Sequence, residues 1–306
     1  MEMAVVCPGK GSQSVGMGAD LVVEPQATKW FSEADKALGY ALSGIMFEGP
    51  EEKLMLTENT QPALLLHSVA LWQMIADKVK PDYFAGHSLG EYSAVVAAGG
   101  IDPIEAVKTV HNRGKFMQSA VPVGVGGMMA VLGSADDIVE AVCKEVSTDG
   151  AVVEPANYNS DGQVVVAGHS AALEKFAPVM KERGAKRVLP LSVSAPFHCS
   201  LMKPARIEME KYLENVKILT LGTAVINNVD AKLETAPDEV RNALIRQMDG
   251  AVRWSQSVRE LVAAGVDTFI EVGPGSVLSG LIKKIDKNAR CINISKAEDI
   301  SKLDDR

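Results

Sequence analysis

The 306-residue chain is short of paired cysteines, of positive charge and of long apolar runs, and each shortage removes a class of answer. Its four cysteines, Cys7, Cys143, Cys199 and Cys291, are scattered with no C-x-x-C spacing, which fits reduced thiols rather than a disulfide framework or a zinc site. Lysine and arginine number 31 against 39 acidic residues, and a net charge of -8 opposes the basic field that a phosphate backbone requires. Nucleic acid is therefore not an expected partner. The longest apolar stretch, Pro62 to Trp72, is interrupted by His67 and Ser68 and falls well short of the ~20 residues that span a bilayer. Met1 to Val6 runs directly into Pro8-Gly9 with no charged and then apolar leader, so a cytoplasmic protein without a membrane segment is expected.

What is present is ordinary globular composition, 47% hydrophobic and 23% charged, and at about 150 residues per domain the length suggests two units. Ala4 to Cys7 reads as a short buried strand running into the glycine-rich turn Pro8 to Gln13. Helical periodicity follows over Trp30 to Leu42 and Ala63 to Ile75, where Pro62 suits a first helical turn. Tyr83 to Ala85 is a strand, Gly86 to Gly90 a sharp turn, Glu91 to Ala98 a helix, and Asp102 to Ser119 another. From Gly124 the pattern becomes βαββαβ within about 70 residues, the split-βαβ order, with Ser134 as a helix N-cap. The α/β pattern resumes after Pro196. This predicts a discontinuous large unit, residues 1–123 plus 196–306, carrying an inserted unit, 124–195.

The sharpest local signal is Gly86-His87-Ser88-Leu89-Gly90, a G-x-S-x-G pentapeptide between a strand and a helix. Such a turn exposes a serine hydroxyl beside a helix N-terminus, where Ser88 can act as a nucleophile. A serine needs a base, and five histidines are available. His67 lies within an apolar helix, His111 and His169 lie in segments without polar company, and His87 should point away from its neighbour. His198 follows the turn-forming Ser194 to Phe197, where the chain re-enters the large unit, a natural lining for a cleft. No aspartate stands out as a third member; a backbone carbonyl can orient the imidazole instead. Arg113 falls near the apolar stripe of its helix, and a buried guanidinium needs an anion, either a protein carboxylate or one brought by a substrate. Gly9-Lys10-Gly11-Ser12 and Gly273-x-Gly275 lack the spacing of nucleotide-binding loops, although their N–H groups can serve an oxyanion.

With these residues in place the sequence resembles the malonyl-CoA:acyl-carrier-protein transacylase family of fatty-acid synthesis. The resemblance runs from residue 4 to 285 and rests on P-G-x-G-S-Q (Pro8 to Gln13), T-Q-P (Thr60 to Pro62), G-H-S-L-G-E-Y (Gly86 to Tyr92), R-G-K-F-M-Q (Arg113 to Gln118), A-P-F-H (Ala195 to His198), R-Q (Arg246, Gln247), V-R-W (Val252 to Trp254) and E-V-G-P-G (Glu271 to Gly275). It implies an α/β-hydrolase-like large subdomain carrying a ferredoxin-like small one. It also implies a ping-pong acyltransferase in which Ser88 carries the malonyl group, His198 is the base and Arg113 grips the free carboxylate. The main-chain carbonyl at or near Gln247 would orient the imidazole, and the N–H groups of Leu89 and Lys10 would form the oxyanion hole. Malonyl-CoA and an acyl carrier protein are the implied partners, with no cofactor or metal and a monomeric state. Lys181, Arg183, Lys186 and Arg187 are candidates for docking an acidic carrier. The chain departs from the family at Lys10, usually Gln, and Ala251, usually Pro. Other readings are a stand-alone acyltransferase of a polyketide synthase, a serine hydrolase of acyl thioesters, and a silent carrier-binding module.

Overall fold

The structure, a computed structural model, describes residues 2–193 and 195–304. In chain order it comprises β1 (Glu2–Cys7), α1 (Pro25–Leu38), α2 (Leu42–Glu48), α3 (Glu51–Met55), α4 (Thr57–Ile75), β2 (Tyr83–Gly86), α5 (Leu89–Ala97) and α6 (Pro103–Ser119). There follow β3 (Gly126–Leu132), α7 (Asp136–Val146), β4 (Val153–Ser160), β5 (Gln163–His169), α8 (Ser170–Glu182) and β6 (Arg187–Pro190). The remainder is α9 (Lys203–Leu213), β7 (Ala224–Ile226), β8 (Leu233–Glu234), α10 (Pro237–Arg246), α11 (Trp254–Ala263), β9 (Val266–Val272), α12 (Val277–Ile285) and β10 (Arg290–Ile294).

This is a mixed α/β fold with two separate sheets. One has six strands in the order β10-β9-β1-β2-β7-β8, parallel except for β8. Its central strand shows why: Ala4 to Cys7 is buried on both faces, as a parallel strand covered by helices on each side must be. Val5 points into the core beneath α4 and α6, while Ala4 and Val6 point into a second core with Trp254, Val258 and Leu281. The other sheet is antiparallel in the order β4-β5-β3-β6. Val164 and Val166 pack under Phe176 and Val139 of α8 and α7, whereas Met128, Val165 and Ala167 face the large core. Val252 bonds to β4, donating to Ala156 O at 2.8 Å and accepting from Tyr158 N at 2.9 Å, so that edge joins the two parts.

Several boundaries differ from the sequence expectation. The first helix stops at Leu38, where Gly39 takes the left-handed conformation (φ 77°), and a new helix starts at Leu42. Helix α4 begins at Thr57, not near Ala63, and Pro62 lies inside it. Proline cannot donate to the carbonyl four residues back. That carbonyl, Glu58 O, lies 2.8 Å from His111 Nδ1, which also approaches the Tyr40 hydroxyl at 3.5 Å. His111 thus has polar company that its helix pattern did not announce. Ser134 does not cap α7; Ala135 holds that position. β8 and β10 were not anticipated, being short strands at the two edges. Among the described residues, no helix is long and apolar enough to cross a membrane.

Candidate active site

The strand β2 ends at Gly86 and α5 begins at Leu89, and Ser88 between them has φ 52° and ψ -107°. Positive φ is costly for a residue with a side chain, on the order of 1–3 kcal/mol, and persists only where its surroundings impose it. The flanking glycines are dictated by close approach. A Cβ on Gly86 would lie 1.9 Å from the Gly90 carbonyl carbon, and one on Gly90 would lie 2.0 Å from Cys7 O. Asn228 splints the turn from β7's far end: its Oδ1 accepts from Ser88 N at 2.7 Å, and its Nδ2 donates to Gly86 O at 2.7 Å. No sequence signal marked Asn228, which lies 140 residues from Ser88.

His198 also has positive φ, 61°; Ala231 is the one further described non-glycine residue that does. Its Nδ1 donates to Gln247 O at 2.9 Å, which leaves Nε2 as the acceptor 2.7 Å from Ser88 Oγ. Burial, and after it the charge of Arg113, push the imidazole down to about 3, so it is neutral and able to take the serine proton. Of the other histidines, His67 is buried in α4, His87 turns to Asn159 (2.8 Å) and His169 Nδ1 accepts from Val152 N at 3.0 Å.

Arg113 is 1% exposed. Its Nη1 donates to Gln61 Oε1 at 2.6 Å and its Nη2 to Gln247 Oε1 at 2.8 Å and to Ser88 Oγ at 3.1 Å. Among the described residues no carboxylate forms an ion pair with it. The acid nearest in the network is Glu91, which accepts from Asn228 N (3.0 Å) and Gln247 Nε2 (2.8 Å). Burial pushes that carboxyl up to about 8, so at neutral pH it holds a proton and does not cancel the guanidinium charge. Gln247 therefore acts through both halves, its main chain on His198 and its side chain on Arg113, Glu91 and the Ser88 carbonyl. Gln61 and Glu91 lay within quoted motifs, but nothing in the sequence gave them a part.

Ser88 and His198 open into a cavity of about 290 Å³, lined also by Lys10 and Phe197 and by Met128, Val165 and Leu191. Leu89 is the first residue of α5, so its N–H has no acceptor within the helix. Lys10 reaches past the cavity wall to donate from Nζ to Thr57 Oγ1 at 2.9 Å.

The acyl transferase domain matches residues 4–303. The chain belongs to the acyl transferase domain family. Among its relatives, the malonyl CoA-acyl carrier protein transacylase of Haemophilus influenzae is 48% identical over 298 residues, 96% of this chain and 95% of that one. The acyl carrier protein S-malonyltransferase of Vibrio cholerae superposes with a TM-score of 0.96 at 45% identity, covering 99% of this chain and all of that one. A malonyl-transacylase solved in complex with its type II polyketide acyl-carrier protein gives 0.96 at 44% identity, with full coverage of both chains. The geometry places a serine hydroxyl on a strained turn, a neutral imidazole hydrogen-bonded to it, and a buried guanidinium 3.1 Å from the same oxygen.

Proposed function

We propose that this protein transfers the malonyl group from malonyl-CoA to the phosphopantetheine thiol of an acyl carrier protein, through a ping-pong cycle with a malonyl-serine ester, in fatty-acid biosynthesis. His198 Nε2 takes the Ser88 proton as Oγ attacks the thioester carbon, and the coenzyme A thiolate leaves with that proton. His198 Nε2 then takes the proton of the carrier thiol as its sulfur attacks the ester carbon, and delivers that proton to Ser88 Oγ as the serine leaves. The N–H groups of Leu89 and Lys10 receive the negative charge that develops on the carbonyl oxygen. Arg113 holds the malonyl carboxylate in one orientation. The observation that carries this reading is the buried guanidinium, held by two neutral glutamine carbonyls beside Ser88 and forming no ion pair among the described residues. A hydrolase of neutral acyl groups has no use for such a charge.

The antiparallel sheet with α7 and α8 on one face supports a ferredoxin-like subdomain over 124–195. The parallel sheet with its serine turn supports an α/β-hydrolase-like subdomain over 1–123 and 196–306. A cytoplasmic monomer needing no cofactor is part of the same reading. A polyketide pathway is the second reading, favoured by the similarity to the malonyl-transacylase solved with a polyketide carrier.

Intact mass after mixing with malonyl-CoA tests the proposal. One malonyl adduct is expected, absent in Ser88→Ala and discharged by carrier protein. No adduct overturns the acyl-enzyme, and equal discharge in buffer alone makes the protein a hydrolase.

A further inference from the structure

The side chain of Lys10 enters no step above. It lies between Gly9, which packs so closely on the His87 carbonyl that a Cβ there would lie 2.4 Å from its oxygen, and Gly11, which has φ 108° and donates its N–H to Gln13 Oε1 at 2.7 Å. Its ammonium is held on two sides. Nζ donates to Thr57 Oγ1 at 2.9 Å, and that hydroxyl donates onward to Gln118 Oε1 at 3.3 Å, which ties the loop to the start of α4 and the end of α6. Nζ also sits 5.5 Å from the centre of the Phe197 ring, a cation–π contact with the residue that precedes His198. Among the described residues no acid forms an ion pair with it.

We propose that Lys10 is a positioning residue whose charged side chain clamps the glycine-flanked loop against Thr57 and Phe197. The clamp holds the Lys10 N–H and the His198 turn in register around Ser88. The proposal rests on the acyl-transfer reading, since it concerns the N–H assigned to the oxyanion. The Gly9 packing and the Gln13 bond hold the loop at its main chain, and the ammonium adds a third anchor at the far end of the Lys10 side chain. The titratable groups on the surrounding elements are His87 and His198 on the cavity wall, Glu58 on α4 and Arg113 on α6. None contributes to the depressed proton affinity of Lys10, which burial alone lowers to about 8. The ammonium, and with it the clamp, is present below that pH and lost above it.

The test is the pH profile of malonyl transfer for the wild type and for Lys10→Met, Lys10→Arg and Thr57→Val. Because a positioned donor matters most in the transition state, Lys10→Met should lower kcat about tenfold at pH 7, with KM for malonyl-CoA within about twofold. The wild type should lose kcat as pH rises through about 8. Lys10→Arg should recover most of the kcat that Lys10→Met loses and should reduce the alkaline fall, because guanidinium stays charged; the part that remains follows Glu91, which burial also raises to about 8. Thr57→Val should weaken transfer in the wild type and add little to Lys10→Met, the signature of a shared contact. A Lys10→Met enzyme with unchanged kcat, or a Lys10→Arg enzyme whose alkaline fall is identical to that of the wild type, overturns the clamp. The malonyl adduct on Ser88 forms or fails independently of these results, so loss of the clamp and loss of the transferase reading are told apart.

Discussion

At the scale of single residues, the site depends on keeping one charge unspent. Arg113 is fully buried, and the groups that hold it, Gln61 and Gln247, offer carbonyl oxygens that orient a guanidinium without neutralising it. Glu91, close enough to matter, is protonated at neutral pH because burial raises it. In the proposed reaction a substrate carboxylate would meet a cation whose desolvation is already complete. Arg113→Ala is expected to lower kcat/KM for malonyl-CoA by about 100-fold, the loss of a charge-assisted pair of roughly 3 kcal/mol, while acetyl transfer rises. Steady-state rates with both donors check it; an unchanged ratio of malonyl to acetyl transfer would retire the role. The sequence disclosed that Arg113 faces inward but left open what it faces, since the two glutamines come from elements 52 and 134 residues away.

At the scale of elements, the strand-turn-helix around Ser88 was legible from local pattern, because its glycines, flanking strand and helix all fall within a short stretch. Its reason is steric: the start of α5 lies too close to β2 for a Cβ at Gly86, and too close to the end of β1 for one at Gly90. Gly90→Ala would set a methyl against the Cys7 carbonyl of the neighbouring strand, where backbone rather than a flexible side chain must yield. We expect a loss of about 3 kcal/mol or more in stability, read as a lowered midpoint in denaturant, together with loss of malonylation. A variant as stable as the wild type would refute the steric account. Helix α4 was read too short because Pro62 looks like a first-turn residue; it is tolerated inside since His111, from α6, bonds to the carbonyl that proline leaves free. That remedy comes from 53 residues away and leaves no local mark.

At the scale of the whole molecule, a chain of net charge -8 must meet a partner proposed to be acidic, so local charge decides docking. Of the four candidates on the small sheet's last helix and strand, Arg183 is already paired with Glu145 at 2.8 Å. Lys181, Lys186 and Arg187 are exposed and form no ion pair among the described residues. Reversing these three to glutamate is expected to raise KM for the carrier protein about tenfold while Ser88 malonylation by malonyl-CoA is unchanged. Equal carrier kinetics would place docking elsewhere. The amino-acid sequence by itself determined most of the alternation of strands and helices, including the βαββαβ order between Gly126 and Pro190, and it singled out Ser88, His198 and Arg113, which the fold brings together, because periodicity, turn chemistry and residue type act over a few positions. The tertiary structure alone decided that Asn228 splints the serine turn, that Gln247 serves both His198 and Arg113, and that burial raises the Glu91 carboxyl to about 8. Those facts depend on burial and on hydrogen bonds between residues far apart in the chain, which only folding brings together.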